Sequence, residues 1–135
     1  MKLQVGVKVL LQNKAGEYLL LKRSNKRYGE VSHPWDIPGG RIHPGAPLID
    51  NLRREVAEET SLEISSEPRL VYAQDILKSP EKHVVRLTYT AETRGGPVRL
   101  DGEHTEHDWL TLNEIQNREG VDEFTHEVVC HLLTQ

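Results

Sequence analysis

Apolar positions along the chain follow two different periods. Residues 3–12, LQVGVKVLLQ, are rich in Val and Leu with partial alternation, residues 13–16 supply turn chemistry, and the apolar run resumes over 18–22. This pattern predicts a strand, a turn and a second strand. Residues 70–77 and 84–91 are again strand-like, with residues 79–82 as the turn between them. Between these two pairs the period changes, because Leu48, Ile49, Leu52 and Val56 form a stripe at helical spacing. Near the end, Thr111 with Glu114 three residues on forms a capping box that opens a short helix. Phe124, Val128, Val129, Leu132 and Leu133 then share one face of a last helix that should cover the sheet. Residues 24–34 are a polar loop closed by His33-Pro34, which disfavours helix before the short WDIPGG segment. Residues 101–108, DGEHTEHD, read as a second loop leading into Trp109. With no internal repeat or linker, the expectation is one α/β domain over residues 1–135, a mixed sheet between helices.

The central stretch 39–62, GGRIHPGAPLIDNLRREVAEETSL, is where chemistry concentrates. A paired glycine permits a tight turn and close approach to a ligand. The helix that follows brings Glu55, Glu58 and Glu59 within one turn of each other. Glu59 falls inside the apolar arc and Glu55 lies beside it, positions that an acid serving only solubility would avoid. Carboxylates converging this way point to a hard divalent cation such as Mg²⁺, which prefers oxygen ligands and keeps waters that substrate phosphates replace. The competing reading is a solvated helix face in a structural protein.

These residues carry a family resemblance. Counted from Gly40, the positions Arg54, Glu55, Val56, Glu58, Glu59 and Leu62 fall in register with the Nudix box, so the chain resembles the Nudix hydrolases. Ala46 stands where that family has Glu, and Ser61 where it has Gly. The resemblance implies the Nudix fold, an α/β/α sandwich, and hydrolysis of a nucleoside diphosphate linked to another moiety. Nucleoside triphosphates, ADP-ribose, dinucleoside polyphosphates and nucleotide sugars are the substrate classes. It also implies Mg²⁺, with Mn²⁺ as a substitute, held by Glu55, Glu58, Glu59 and the carbonyl of Gly39, with Arg54 orienting Glu58. The missing Glu at position 46 is the one that braces the loop against the box arginine in relatives. A further catalytic or metal-binding acid is implied just before the Trp109 strand, with Glu103 preferred and Glu106 in reserve. Arg23 is the first choice for substrate phosphate among Lys22, Arg23, Lys26 and Arg27, because relatives carry a basic residue there. Trp35 either stacks on a base or packs in the core.

Composition narrows the partners. The 135 residues carry 17 basic and 21 acidic side chains for a formal charge of -4, with only 5% aromatics, so bulk nucleic acid is not an expected partner. A small nucleotide is, and a homodimer is admitted. The single Cys130 excludes an internal disulfide and reads as a buried small hydrophobe, in the wrong element for an isomerase of this fold. His33 and His43 read as surface residues, since carboxylates already suit the ion. No segment has the length and apolarity of a membrane span, and the expected setting is cytoplasmic. The alternative to turnover is a nucleotide-binding module that has weakened or lost it, motivated by Ala46 and Ser61.

Overall fold

The computed structural model describes residues 1–29 and 31–135, so residue 30 of the predicted 24–34 loop and the side chains of Arg27 and Tyr28 lie outside the described residues. In chain order the strands and helices are β1 (Lys2–Gln12), β2 (Tyr18–Arg23), α1 (Asn25–Tyr28), β3 (Trp35–Asp36), β4 (Gly39–Arg41), α2 (Leu48–Thr60), β5 (Arg69–Ser79), β6 (Lys82–Glu92), β7 (His104–Leu110), α3 (Leu112–Asn117) and α4 (Glu123–Leu133). They form a seven-stranded mixed sheet of order β3-β2-β1-β6-β5, with β4 also on β1 and β7 also on β2. The parallel pair β1–β6 runs in unbroken register from Lys2↔Lys82 to Gln12↔Glu92, while the other pairs are antiparallel.

Helices cover both faces, which is why β1 and β2 read as nearly continuous apolar runs. On one face Val7, Val9, Leu11, Leu19 and Leu21 pack with Leu52 and Val56 of α2. On the other, Leu10 and Leu20 pack with Trp35, Ile37, Ile115, Val128 and Val129 beneath α3 and α4. Successive strand residues point to opposite faces, so each of these strands feeds two cores. The Thr111–Glu114 capping box is present, with Glu114 N–H donating to Thr111 Oγ1 at 3.2 Å and Thr111 N–H to Glu114 Oε1 at 2.9 Å.

Several expectations change. Residues 104–108 are not loop but the first part of β7, because they hydrogen-bond to β2 and set Glu106 against Lys22. Charged, exposed side chains along a sheet edge carry no apolar alternation, so the period that marks a strand is missing there. Phe124 is half-buried beneath the Lys78 ammonium, outside the core. Cys130 is half-buried with its thiol 3.6 Å from His126 Nδ1, so it does not act as a core hydrophobe.

α2 ends at Ser61, whose φ of 64° lies in the left-handed region and whose N–H donates to Ala57 O at 3.0 Å. That conformation is the physical reason a glycine suits this position, since an L side chain there costs about 1–2 kcal/mol. A glycine also adds freedom to the unfolded chain, which offsets roughly half of the gain. Ser61→Gly is therefore expected to raise the thermal midpoint by about 2–4 °C, read by calorimetry; an unchanged or lower midpoint would show that the Ser61 side chain stabilises the cap.

Candidate functional site

The site grows from the way residues 36–40 fold back on β1. Gly39 has φ of 133°, and a Cβ there would sit 2.1 Å from the carbonyl oxygen of Val7. Only glycine permits so close an approach. Val9 N–H donates to Pro38 O at 3.0 Å, and Gly39 and Gly40 pair with Lys8 and Val7 in the β1–β4 ladder. The turn is thus pressed against the central strand. From its other side Gly39 N–H reaches α2, donating to Glu59 Oε1 at 3.0 Å. A Cβ on Gly40 would lie 3.2 Å from the carboxylate atoms of Glu55, so Gly39 makes room for the central strand and Gly40 for the acid.

The three box acids occupy different environments. Glu59 is buried, at 6% exposure, as its place in the apolar arc requires. Burial pushes its carboxyl up to about 8; hydrogen bonding and like charge from Glu55 push the same way, while Lys8 and the Gly39 N–H oppose them. Two acids side by side, one of them holding its proton because it is out of water, form a donor set that a divalent cation would suit in place of that proton. Glu58 is exposed and held by Arg54 through both carboxylate oxygens, at 3.1 and 3.0 Å. Arg54 also reaches Glu55 Oε1 at 3.2 Å. Among the described residues no three acids, imidazoles or thiols already converge as a cage. Glu55 and Glu59 therefore form the inner pair, and Glu58 stands outside it on the arginine.

Arg54 has a further partner that the sequence pattern did not single out. Asn51, buried on the same helix, accepts from Arg54 Nη2 at 3.1 Å and from His43 N–H in the preceding loop at 3.2 Å. One amide oxygen thus braces the loop against Arg54, the part that the family resemblance gives to the acid missing at position 46. Three-residue spacing on a helix was the available signal. Pro47 is the N-cap residue, so Ala46 lies just ahead of the helix start.

The other expected residues separate. Glu103 is half-buried in the turn before β7, where its carbonyl accepts from Ser24 N–H at 2.8 Å at the end of β2 and its own N–H donates to Asp101 Oδ1 at 3.3 Å. Glu106 is exposed and paired with Lys22 at 3.1 Å. Trp35 is buried in the α4-side core with the Arg118 guanidinium 4.5 Å above its ring, so its indole is not open for a base to stack on. Arg23, expected at a phosphate, instead donates to Asp36 Oδ2 at 2.7 Å and lies 3.7 Å from Asp122. Asp36 is the centre of this second cluster. It is 3% exposed and faces Lys8 at 3.1 Å and Arg86 at 3.4 Å as well as Arg23, and it accepts from the Thr125 hydroxyl. Burial alone would raise its carboxyl, but Lys8, Arg86 and Arg23 together hold it well below the usual carboxylate range. A cleft of about 550 Å³ lies apart from both clusters, between residues 61–65 and 93–99.

Known proteins share this architecture and sequence. The MutT protein of Methanosarcina mazei Go1 superposes with a TM-score of 0.85 at 28% identity, over 98% of this chain and 94% of that one. A MutT NUDIX hydrolase from Burkholderia pseudomallei shares the fold with a TM-score of 0.78 at 21% identity, over 96% of this chain and 97% of its own. Nucleoside triphosphatase NudI of Escherichia coli is 27% identical over 115 residues, covering 78% of this chain and 80% of the relative. A MutT-like protein of Streptomyces ambofaciens is 25% identical over 114 residues, 84% of this chain and 68% of the relative. The family description that matches is the NUDIX domain, over residues 2–132. A match of that extent carries the helix of acids, the glycine turn and the whole sheet with it, and the chain belongs to the NUDIX family as a Nudix hydrolase.

Proposed function

We propose that this chain hydrolyses a phosphoanhydride bond of a small nucleotide, a nucleoside triphosphate first among the candidate classes, with Mg²⁺ or Mn²⁺. The observation that carries the reading is the pairing of buried Glu59 with Glu55 beside the Gly39–Gly40 turn. The choice of a triphosphate draws on the similarity to the nucleoside triphosphatase NudI of Escherichia coli. Glu55 and Glu59, with the carbonyl of Gly39 and with Glu58 at the edge, would hold the ion. A divalent ion there supplies positive charge to diphosphate oxygens and lowers the pKa of water. Arg54 keeps Glu58 and Glu55 oriented through charge-assisted hydrogen bonds. Glu103, fixed by its backbone to the end of β2, takes the part of the base that accepts the proton of the attacking water. The two departures from the family box do not by themselves argue for lost turnover, since Asn51 braces Arg54 and Ser61 adopts the required left-handed cap.

A hydrolysis screen over nucleoside triphosphates, ADP-ribose, dinucleoside polyphosphates and nucleotide sugars, with each ion, tests the proposal. Turnover of a triphosphate dependent on the ion is expected. Binding without turnover of any class would leave a nucleotide-binding module instead.

Glu59→Gln should abolish most turnover while the protein stays folded, because the amide keeps its shape and gives up only a buried acid. Near-wild-type kcat at saturating Mg²⁺ would remove Glu59 from the site. Glu103→Gln should lower kcat by about a hundredfold with little change in KM, whereas Glu106→Gln, which loses only a surface ion pair, should be mild. The reverse ranking would transfer the base to Glu106.

Glu59 also sets a pH dependence. Its folded-state value, about 8, lies above the ordinary 4.5, so the folded protein keeps a proton that the unfolded chain gives up in between. Stability from this group is complete below about pH 4.5 and is lost as pH rises toward 8. Thermal melts of the metal-free protein should therefore fall across that window, and Glu59→Gln should flatten the fall. A flat wild-type profile would mean that Glu59 is ionised in the folded protein throughout.

A further inference from the structure

Lys8 sits where the two charged clusters meet. In β1 it pairs with Gly39 of β4 on one side and Thr88 of β6 on the other. Its ammonium is 3.1 Å from Asp36 Oδ2 and donates to the carbonyls of Ile37 at 3.2 Å and Gly39 at 3.4 Å, with the side chain only 17% exposed. An ammonium has three N–H donors, and here three acceptors surround it. Two of them are the carbonyls on either side of Pro38. The grip therefore falls on the turn itself and not only on a counter-charge. The same turn gives its Gly39 N–H to Glu59 at 3.0 Å, so a shift of Gly39 moves both its own carbonyl and the anchor of the buried acid. Asp36 in turn is kept in place by Arg23, Arg86 and Thr125, which ties Lys8 to β2, β6 and α4.

We propose that Lys8 is a positioning residue of the divalent-ion site: by holding the Ile37 and Gly39 carbonyls it fixes the Gly39 oxygen relative to Glu59. The inference rests on the reading of Glu55, Glu59 and Gly39 as the ion's ligands. Lys8 acts through the backbone and touches neither substrate nor reacting atoms. Partners one step removed from a metal, which orient its ligands, are typically worth about 10–100-fold in affinity for the ion.

Mn²⁺ binding, followed by the electron paramagnetic resonance signal of the free ion and without substrate, tests this in the unaltered chain and three variants. Lys8→Met and Arg86→Met each remove one cation from Asp36, but only Lys8 reaches the turn. Lys8→Met is expected to weaken Mn²⁺ binding about tenfold and Arg86→Met to change it less than about twofold, although both lower the melting temperature. Lys8→Arg keeps the charge beside Asp36, and with it the fold. Its planar guanidinium cannot aim donors at both carbonyls as a rotating ammonium does, so it too should lose several-fold in Mn²⁺ affinity at a near-wild-type melting temperature. Wild-type affinity in Lys8→Arg, tighter binding in Lys8→Met, or an equal loss in Arg86→Met would overturn the proposal and leave Lys8 as a balancing charge for Asp36. Should the unaltered chain bind no Mn²⁺ at all, the ion site itself falls and the role of Lys8 with it, an outcome distinct from binding that ignores Lys8.

Discussion

Asp36 carries a full negative charge out of water, and the molecule is built to tolerate it. Moving a carboxylate into a protein interior costs several kcal/mol even after relaxation, so it persists only with close counter-charges and saturated hydrogen bonds. Lys8, Arg23 and Arg86 supply the charges from β1, β2 and β6, while Thr125 and the N–H of Ile37 supply hydrogen bonds. The four side chains come from four different elements, so the cluster forms only when the sheet and α4 have assembled. Arg86 and Arg23 also face Asp122, which caps α4 by accepting from Phe124 N–H at 2.9 Å. Helix and sheet are thereby locked in one relative position, whatever the cluster contributes to net stability.

Much of the local geometry of the candidate site was legible from spacing alone. A stripe at helical period containing Leu52 and Val56 placed Glu59 in the buried arc, and the structure buries it, because a helix docked by its apolar face takes every residue of that arc with it. Two glycines in a row implied a tight turn, and Gly39 makes one against Val7 that admits no other residue. Thr111 and Glu114 signalled a cap that needs nothing beyond its own four residues. Local chemistry of this kind depends on neighbours in the chain, which a sequence displays directly.

What was not legible depends on distant partners. Lys8 sits in a strand of apolar residues with no local signal of a role, and only the return of residues 36–39 onto β1 turns it into an interior cation. Arg23, expected at a substrate phosphate, could not be assigned to an internal ion pair for the same reason, since Asp36 lies thirteen residues away and Asp122 at the start of the last helix. Trp35 could be assigned to core or ligand only once Arg118 and Val121 were seen to close over it. The strand at residues 104–108 had no apolar period to find, because its partner β2 supplies the hydrogen bonds and Thr105, Glu106 and His107 all face water.

The two charged clusters solve one problem in opposite ways, and that difference separates scaffold from site. Around Asp36 an excess of fixed cations holds the carboxylate ionised, so the cluster is complete with the protein's own residues. Around Glu59 burial dominates, opposed by Lys8 and one backbone N–H and aided to a smaller extent by Glu55, so the carboxyl keeps a proton. A buried acid with too little positive charge nearby is costly to ionise. Placed against a glycine turn and a second carboxylate, it is a position where an added divalent cation gains more than it would anywhere in the saturated cluster. Lys8 belongs to both, with its charge directed at Asp36 and its remaining donors at the turn. The completed cluster can therefore act as a rigid support for the incomplete one, and on the proposed reading of Gly39 as a ligand, affinity for the ion would depend on how firmly the sheet holds that one backbone oxygen.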